Sequence, residues 1–208
     1  MEQNILLSLI ISPFNAFEKI MKSNKYKLIF ILIVSIYFIE AVFISKDSLL
    51  KADLGKINAS LESEEVVIVF SIISATIGIF TFLGNILVSS IIYNVAGKLL
   101  DFQIGLKKFF LVSIISQISI LFGRALDLCI KNYSGIPITS LGQVVSKIGF
   151  NSDITQLLAN IDVFYIWNLS LITIGVSVFS KKSIKDSLML VIITNIIIFL
   201  ISLLITII

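Results

Sequence analysis

Residues 66–97 read VVIVFSIISATIGIFTFLGNILVSSIIYNVAG, a run of 32 residues without one charged side chain. A helix needs about 20 apolar residues to cross the hydrocarbon core of a bilayer. Two crossings would need about 40 residues and a turn, so the run predicts one long helix that tilts or protrudes. This apolar run is therefore expected to be solvated by lipid rather than buried in a core inside a water-soluble protein, and the bilayer decides the fold.

The composition of the whole chain agrees with this interpretation. Of the 208 residues, 57% are hydrophobic and 14% are charged, and the mean hydropathy is +1.07. A typical soluble domain is about 45–50% apolar and about 25% charged. The excess of apolar residues excludes a disordered tail, a secreted disulfide scaffold and an ordinary cytosolic enzyme.

Four more apolar runs are long enough to cross a membrane, which makes five in total. We expect a single domain over residues 1–208, an all-α integral membrane protein with five transmembrane helices. The predicted spans cover residues 28–44, 66–97, 109–130, 157–179 and 188–208.

Lysines predict the orientation of these spans. Ten lie before span 1 and in the connections 2–3 and 4–5, and five lie in the opposite connections. The first group is Lys19, Lys22, Lys25, Lys27, Lys98, Lys107, Lys108, Lys181, Lys182 and Lys185, and the second is Lys46, Lys51, Lys56, Lys131 and Lys147. Because cytoplasmic connections carry the excess of Lys and Arg, we expect a cytoplasmic N-terminus and an outside C-terminus.

Local signals predict two short helices outside the spans. Ser12-Pro13 is typical of an N-cap followed by proline at the first helical position. Beyond it Phe14, Phe17, Ile20 and Met21 share one helical face, which predicts an N-terminal amphipathic helix on the membrane surface. In the loop before span 4, Ser140 predicts the cap of a second short helix.

A stripe of small and polar residues follows the long second span at helical spacing. It consists of Ser71, Ser74, Gly78, Thr81 and Asn85. Helices in lipid associate through close packing of small residues and through interhelical hydrogen bonds, so we expect this stripe to be a helix-packing face. A path for a substrate lined by the same groups is the alternative.

Four charged residues fall inside the predicted spans: Glu40, Arg124, Asp127 and Asp162. An unpaired charge in hydrocarbon costs at least about 2.5–3.5 kcal/mol, so we expect these groups to pair in one polar network near the outer membrane face. Three interpretations stay open: a polar staple that fixes helix register, a site that binds a proton or cation, and span ends that place these residues in the outer loops.

Other counts argue against catalysis. The chain has no histidine and one cysteine, Cys129. Histidine-dependent zinc proteases and Ser-His-Asp triads are therefore excluded, and we predict no enzyme, no metal and no cofactor. Asp127 and Asp162 lack the Gly-x-Gly-Asp context of intramembrane aspartyl proteases. Nucleic-acid binding is disfavoured because the lysines cluster at membrane edges and are not interleaved with aromatics.

The order of several short motifs resembles the Yip1 family of five-span membrane proteins, in its bacterial branch. The motifs are Ser-Pro-Phe-x-Ala-Phe-x-x-Ile at Ser12 to Ile20, the Gly97-Lys98 turn, the Ser140-Leu141 loop and Asn-Ile-Asp-Val-Phe-x-Ile-Trp-Asn-Leu at Asn160 to Leu169. Within the last of these, Asp162, Phe164 and Trp167 form the most specific part of the resemblance.

The resemblance implies a helical bundle without known catalysis, in a bacterial plasma membrane. Some bacterial relatives accompany ABC exporters, so we expect an adaptor or accessory subunit whose partners are lipid and other membrane proteins. The alternative is a small transporter, or a transporter subunit, with a proton- or cation-linked outer-leaflet site; homo-oligomers are compatible with either. Eukaryotic relatives act in vesicle traffic and bind small GTPases, but this chain lacks their Asp-Leu-Tyr-Gly-Pro motif, so GTPase binding does not transfer.

Overall fold

The computed structural model describes residues 5–22, 26–51, 64–130, 137–149, 155, 158, 159 and 161–207. Within these ranges the backbone is helical, and no β-strand is present apart from one isolated bridge between Ser140 and Asp162. The helices are α1 (Ile5–Ile11), α2 (Pro13–Lys22), α3 (Tyr26–Lys51), α4 (Glu64–Leu99), α5 (Leu106–Cys129), α6 (Leu141–Ile148), α7 (Val163–Ser180) and α8 (Ile184–Ile207).

Five of the described helices are long and apolar enough to cross a membrane, so the prediction of a five-span all-α membrane protein is confirmed. They are Tyr26–Leu50, Glu64–Leu99, Leu106–Cys129, Val163–Ser180 and Ile184–Ile201. The charge-free run forms one uninterrupted helix of 36 residues, α4. At 1.5 Å per residue this helix is about 54 Å long and exceeds the hydrocarbon thickness of about 30 Å.

The bounds of all five spans differ from the predicted ones. The first runs from Tyr26 instead of residue 28, and the third ends at Cys129. The fourth begins at Val163, six residues later than predicted, because Asp162 caps it: its Oδ1 accepts a hydrogen bond from the Tyr165 N–H at 2.5 Å. Residues 156, 157, 160 and 208 lie outside the described residues.

The chain divides into two compact units, of which the first comprises Met1–Ile31, Gly84–Gln117 and Trp167–Ile208. In this unit Phe17 of α2 is fully buried. A Cβ added at Gly175 of α7 would lie 3.0 Å from the Phe17 ring and 2.7 Å from Cγ1 of Val112 on α5. Only the absence of a side chain at Gly175 therefore lets α2, α5 and α7 approach this closely.

Two side-chain amides link helices inside the same unit. Asn168 of α7 is buried and donates to the backbone carbonyl of Ser116 on α5 at 2.7 Å. Asn195 of α8 donates to the Tyr93 hydroxyl on α4 at 2.7 Å. In a bundle surrounded by lipid, such bonds replace the hydrophobic effect as the source of specific helix association.

The second unit comprises Leu32–Leu83 and Ile118–Ile166. Its short helix α6 begins as predicted, since the Ser140 hydroxyl accepts a hydrogen bond from the Gln143 N–H at 3.2 Å. A Cβ at Gly142 would lie 2.6 Å from the Thr155 carbonyl oxygen and 2.8 Å from the Ala159 backbone. This glycine therefore holds α6 directly against the backbone of a later helical turn.

Candidate functional site

A polar cluster of the second unit contains Glu40 of α3 and Arg124 of α5. The Glu40 side chain is 6% exposed, and its Oε2 atom is buried without a hydrogen-bond partner among the described residues. The Arg124 guanidinium acts electrostatically on this carboxyl group and lies over the Tyr37 ring, 5.0 Å from the ring centroid. The Tyr37 ring in turn stacks on Phe82 of α4 at 4.1 Å.

This arrangement, which we call the Glu40 cluster (Tyr37, Glu40, Phe82 and Arg124), joins three helices of the unit. An arginine over an aromatic face is stabilised by about 0.5–2 kcal/mol, depending on how far it is desolvated. The cation is thus held by the ring on one side and attracted by the Glu40 carboxyl group. An unpartnered buried carboxylate oxygen is costly, so the cluster has capacity to accept a proton or a further polar group.

The two aspartates of the predicted network have backbone partners. Oδ1 of Asp127 accepts a hydrogen bond from the Ile138 N–H at 3.1 Å and so ties Ile138 to the C-terminal end of α5. Oδ1 of Asp162 caps α7 through the Tyr165 N–H. Both carboxylates therefore contribute to local chain geometry, whatever else they contact. That all four charged residues form a single network stays a prediction.

The predicted packing stripe of α4 has a mixed environment. Ser71 is buried, Gly78 is half-buried, and Ser74, Thr81 and Asn85 are exposed. A Cβ at Gly78 would meet the Tyr37 hydroxyl at an ordinary 3.7 Å. The fully buried positions of α4 include Val67, Ser71, Ala75, Ile86, Ser90 and Tyr93. Helix packing at the five predicted positions remains a prediction.

A second site, in the first unit, was not predicted from sequence. The Lys182 side chain crosses from the α7–α8 connection to the α4–α5 connection. Its Nζ donates to the Leu100 carbonyl at 2.9 Å and lies 4.3 Å from the Phe102 ring centroid, while its own carbonyl accepts from the Ser177 hydroxyl at 2.8 Å. Sequence spacing alone predicts a lysine in a connection to be solvated, so no pattern could have found this contact.

Exposed lysines lie in or next to the two connections that this contact joins, and together they form what we call the Lys182 surface. It comprises the connections 100–105 and 181–183 and the exposed Lys98, Lys107, Lys108, Lys181 and Lys185. A cavity of about 410 Å³ opens there, lined by Lys98, Asp101, Phe102, Gln103, Ile104 and Gly105. Asp101 and Lys181 adopt left-handed backbone conformations with φ of 56° and 59°, which turn each connection sharply.

Some side-chain roles in these sites have local sequence signals, and others do not. Asp162 directly before an apolar run is a typical helix-start signal, but the predicted span 4 includes this residue, so the cap that the structure shows was not predicted. The position of Arg124 over Tyr37 had no such signal, because the two residues lie on different helices. Within the described part of the chain, no group of three or more His, Cys, Asp or Glu side chains is placed to hold a metal ion.

Comparison with known proteins supports a family assignment. A model of the Yip1 domain matches residues 7–206, nearly the whole chain. Searches of curated proteins and of solved structures found no match. The family match, the five apolar helices and the motif order from Ser12 to Leu169 agree with one another. This multi-pass membrane protein belongs to the Yip1 family.

Proposed function

We propose that this chain is a non-enzymatic adaptor or accessory subunit that binds another membrane protein, in an export or trafficking assembly such as one built around an ABC exporter. The observation that carries the proposal is the Lys182 surface. There the half-buried Lys182 ties two short connections together, five exposed lysines lie in or next to these connections, and one of the five, Lys98, lines a cavity. A fixed basic surface favours a partner segment that carries acidic residues.

The roles of other polar groups agree with an adaptor. Asn168, Asn195 and Asp162 are bonded to neighbouring helices or to a helix end. Such bonds build the bundle and its connections, and they leave the basic connections as the strongest charged feature of the first unit. We further propose that these connections are cytoplasmic, in a bacterial plasma membrane, because lysine bias sets orientation.

Site-specific crosslinking from native membranes tests the adaptor. A photo-crosslinking residue at Gln103, which lines the cavity, should capture one membrane protein reproducibly. The same residue at Lys147 on α6 serves as the matched control. Neutralising Lys98, Lys107 and Lys108 to Gln should lower the Gln103 yield several-fold, since rim charges mainly set association rate. Equal crosslinking yields at Gln103 and Lys147, or a Gln103 yield that the three substitutions do not lower, would refute the proposal.

The second candidate is a small transporter or transporter subunit, and the Glu40 cluster is the observation that favours it. Ionisable groups inside membrane spans commonly mark proton or ion pathways. Here a carboxyl group that is 6% exposed has an unpartnered oxygen and a nearby guanidinium. In this interpretation Glu40 binds the proton or cation. When that ligand leaves, the charged Glu40 carboxylate attracts the Arg124 guanidinium.

Proteoliposomes distinguish the two candidates. A pH-sensitive dye inside the vesicles should report a proton flux that Glu40→Gln abolishes, with Glu64→Gln as a control on the exposed end of α4. If the wild-type chain gives no flux above empty vesicles, or if the flux survives Glu40→Gln, the transporter candidate fails. The crosslinking result at Gln103 is independent of either outcome.

A further inference from the structure

The exposed side of α4 carries a polar side chain deep inside the membrane. Asn85 is exposed, and within the described part of the chain its carboxamide has no hydrogen bond. Thirteen residues separate it from Lys98, which places it about 20 Å from that charged end. Lys98, Lys107 and Lys108 all lie within three residues of the short connection 100–105, so these lysines mark one membrane edge. Asn85 therefore lies within the hydrocarbon core.

A carboxamide facing lipid is unfavourable, because lipid chains offer neither donor nor acceptor. Gly84, the residue before Asn85, leaves room for a partner helix to approach α4. Gly84 is also exposed, and a Cβ placed there would meet nothing within 4 Å. Phe80, 73% exposed, and Val88, 57% exposed, project on either side of this open position. Small residues next to a polar one are the arrangement through which membrane helices approach closely and hydrogen-bond.

We propose that this face of α4, which we call the Asn85 face (Phe80, Thr81, Gly84, Asn85 and Val88), binds a second copy of this chain. Two copies with the same membrane orientation are related by a two-fold axis along the membrane normal, so each residue meets its own counterpart at the same depth. A carboxamide is self-complementary, since its NH₂ group donates and its oxygen accepts. A second copy supplies the missing partner of Asn85 by symmetry, whereas another protein would need a matching group at that depth.

Disulfide crosslinking in native membranes tests this dimer. Cys129, the native cysteine, is exposed and is first replaced by Ala. In that background Asn85→Cys and Val88→Cys, carried on two differently tagged copies, should form mixed disulfides under mild oxidation. Ile192→Cys on α8 is the matched control, an exposed apolar position outside the face. Absence of mixed disulfides at 85 and 88, equal yield at 192, or capture of a different protein instead would overturn the proposal.

Substitution of Asn85 gives a second, independent readout. Asn85→Leu suits lipid and should leave thermal unfolding of the chain unchanged, while it raises the dimer dissociation constant in bicelles about five- to tenfold, as expected for two modest interhelical hydrogen bonds. Asn195→Leu is the contrasting variant, because Asn195 already has an internal partner in Tyr93. It should lower thermal stability and leave the dissociation constant unchanged. An unaltered dissociation constant for Asn85→Leu would refute the role of Asn85.

Discussion

Replacement of Gly175 by Ala tests the packing that places α2 against the bundle. The added Cβ would lie 2.7 Å from Cγ1 of Val112 and 3.0 Å from two atoms of the Phe17 ring. Carbon atoms pack best at about 3.5–4.0 Å, so the neighbouring helices must separate by several tenths of an ångström or more. All three residues are buried, and none has a flexible end that could move away cheaply.

The magnitude follows from two opposing effects. Overpacking of a well-packed core costs about 1–3 kcal/mol. An alanine is favoured over glycine inside a helix by about 1 kcal/mol, which offsets part of this cost. We therefore expect Gly175→Ala to lower the free energy of unfolding by up to about 2 kcal/mol.

Gly78→Ala is the matched control, since it introduces the same group into another membrane-spanning helix. There the new Cβ would meet only the Tyr37 hydroxyl at 3.7 Å, an ordinary contact. This variant should be unchanged or stabilised by up to about 1 kcal/mol. Reversible unfolding in bicelles measures both values. Equal stability of the two alanine variants would refute the close approach of α2, α5 and α7 at Gly175.

Three further outcomes follow from the structure. Gly142→Ala should destabilise the fold by more than about 2 kcal/mol, or abolish folded yield, because its Cβ would collide with rigid backbone; a normal melting curve contradicts this. Tyr93→Phe should cost about 0.6–1.7 kcal/mol through loss of the Asn195 hydrogen bond, and adding Asn195→Leu should then cost less than it does alone. Arg124→Ala should lower the melting temperature in detergent, because it removes the cation beside the buried Glu40; an unchanged melting temperature would refute a polar network at this position.

Local chemistry explains which parts of the structure were predictable. The Ser140 cap depends on a side chain and an N–H group three residues away, so the sequence contains all of its parts. The late start of α7 at Val163 was missed, although the Asp162 cap is equally local, since apolar residues upstream extend the hydropathy signal beyond the helix. Hydropathy measures affinity for lipid and does not show at which residue a cap begins the helix.

Contacts between distant segments could not be read in this way. Lys182 was predicted only as a marker of orientation, yet it bonds to the Leu100 carbonyl, 82 residues away in sequence. Arg124 was predicted to pair with carboxylates, and in the structure it lies over the Tyr37 ring as well as acting on Glu40. Which residue a long side chain reaches depends on helix rotation and tilt, and a pattern of small residues constrains neither strongly.

The sequence by itself determined the number, order and approximate length of the membrane-spanning helices. The reason is that bilayer thickness is a fixed external length, and apolar runs must match it. Only the tertiary structure decided which faces of those helices meet. In lipid, packing and a few hydrogen bonds replace the hydrophobic effect, so small differences in shape at Gly175, Gly142 and Asn168 select one arrangement among many that hydropathy treats as equal.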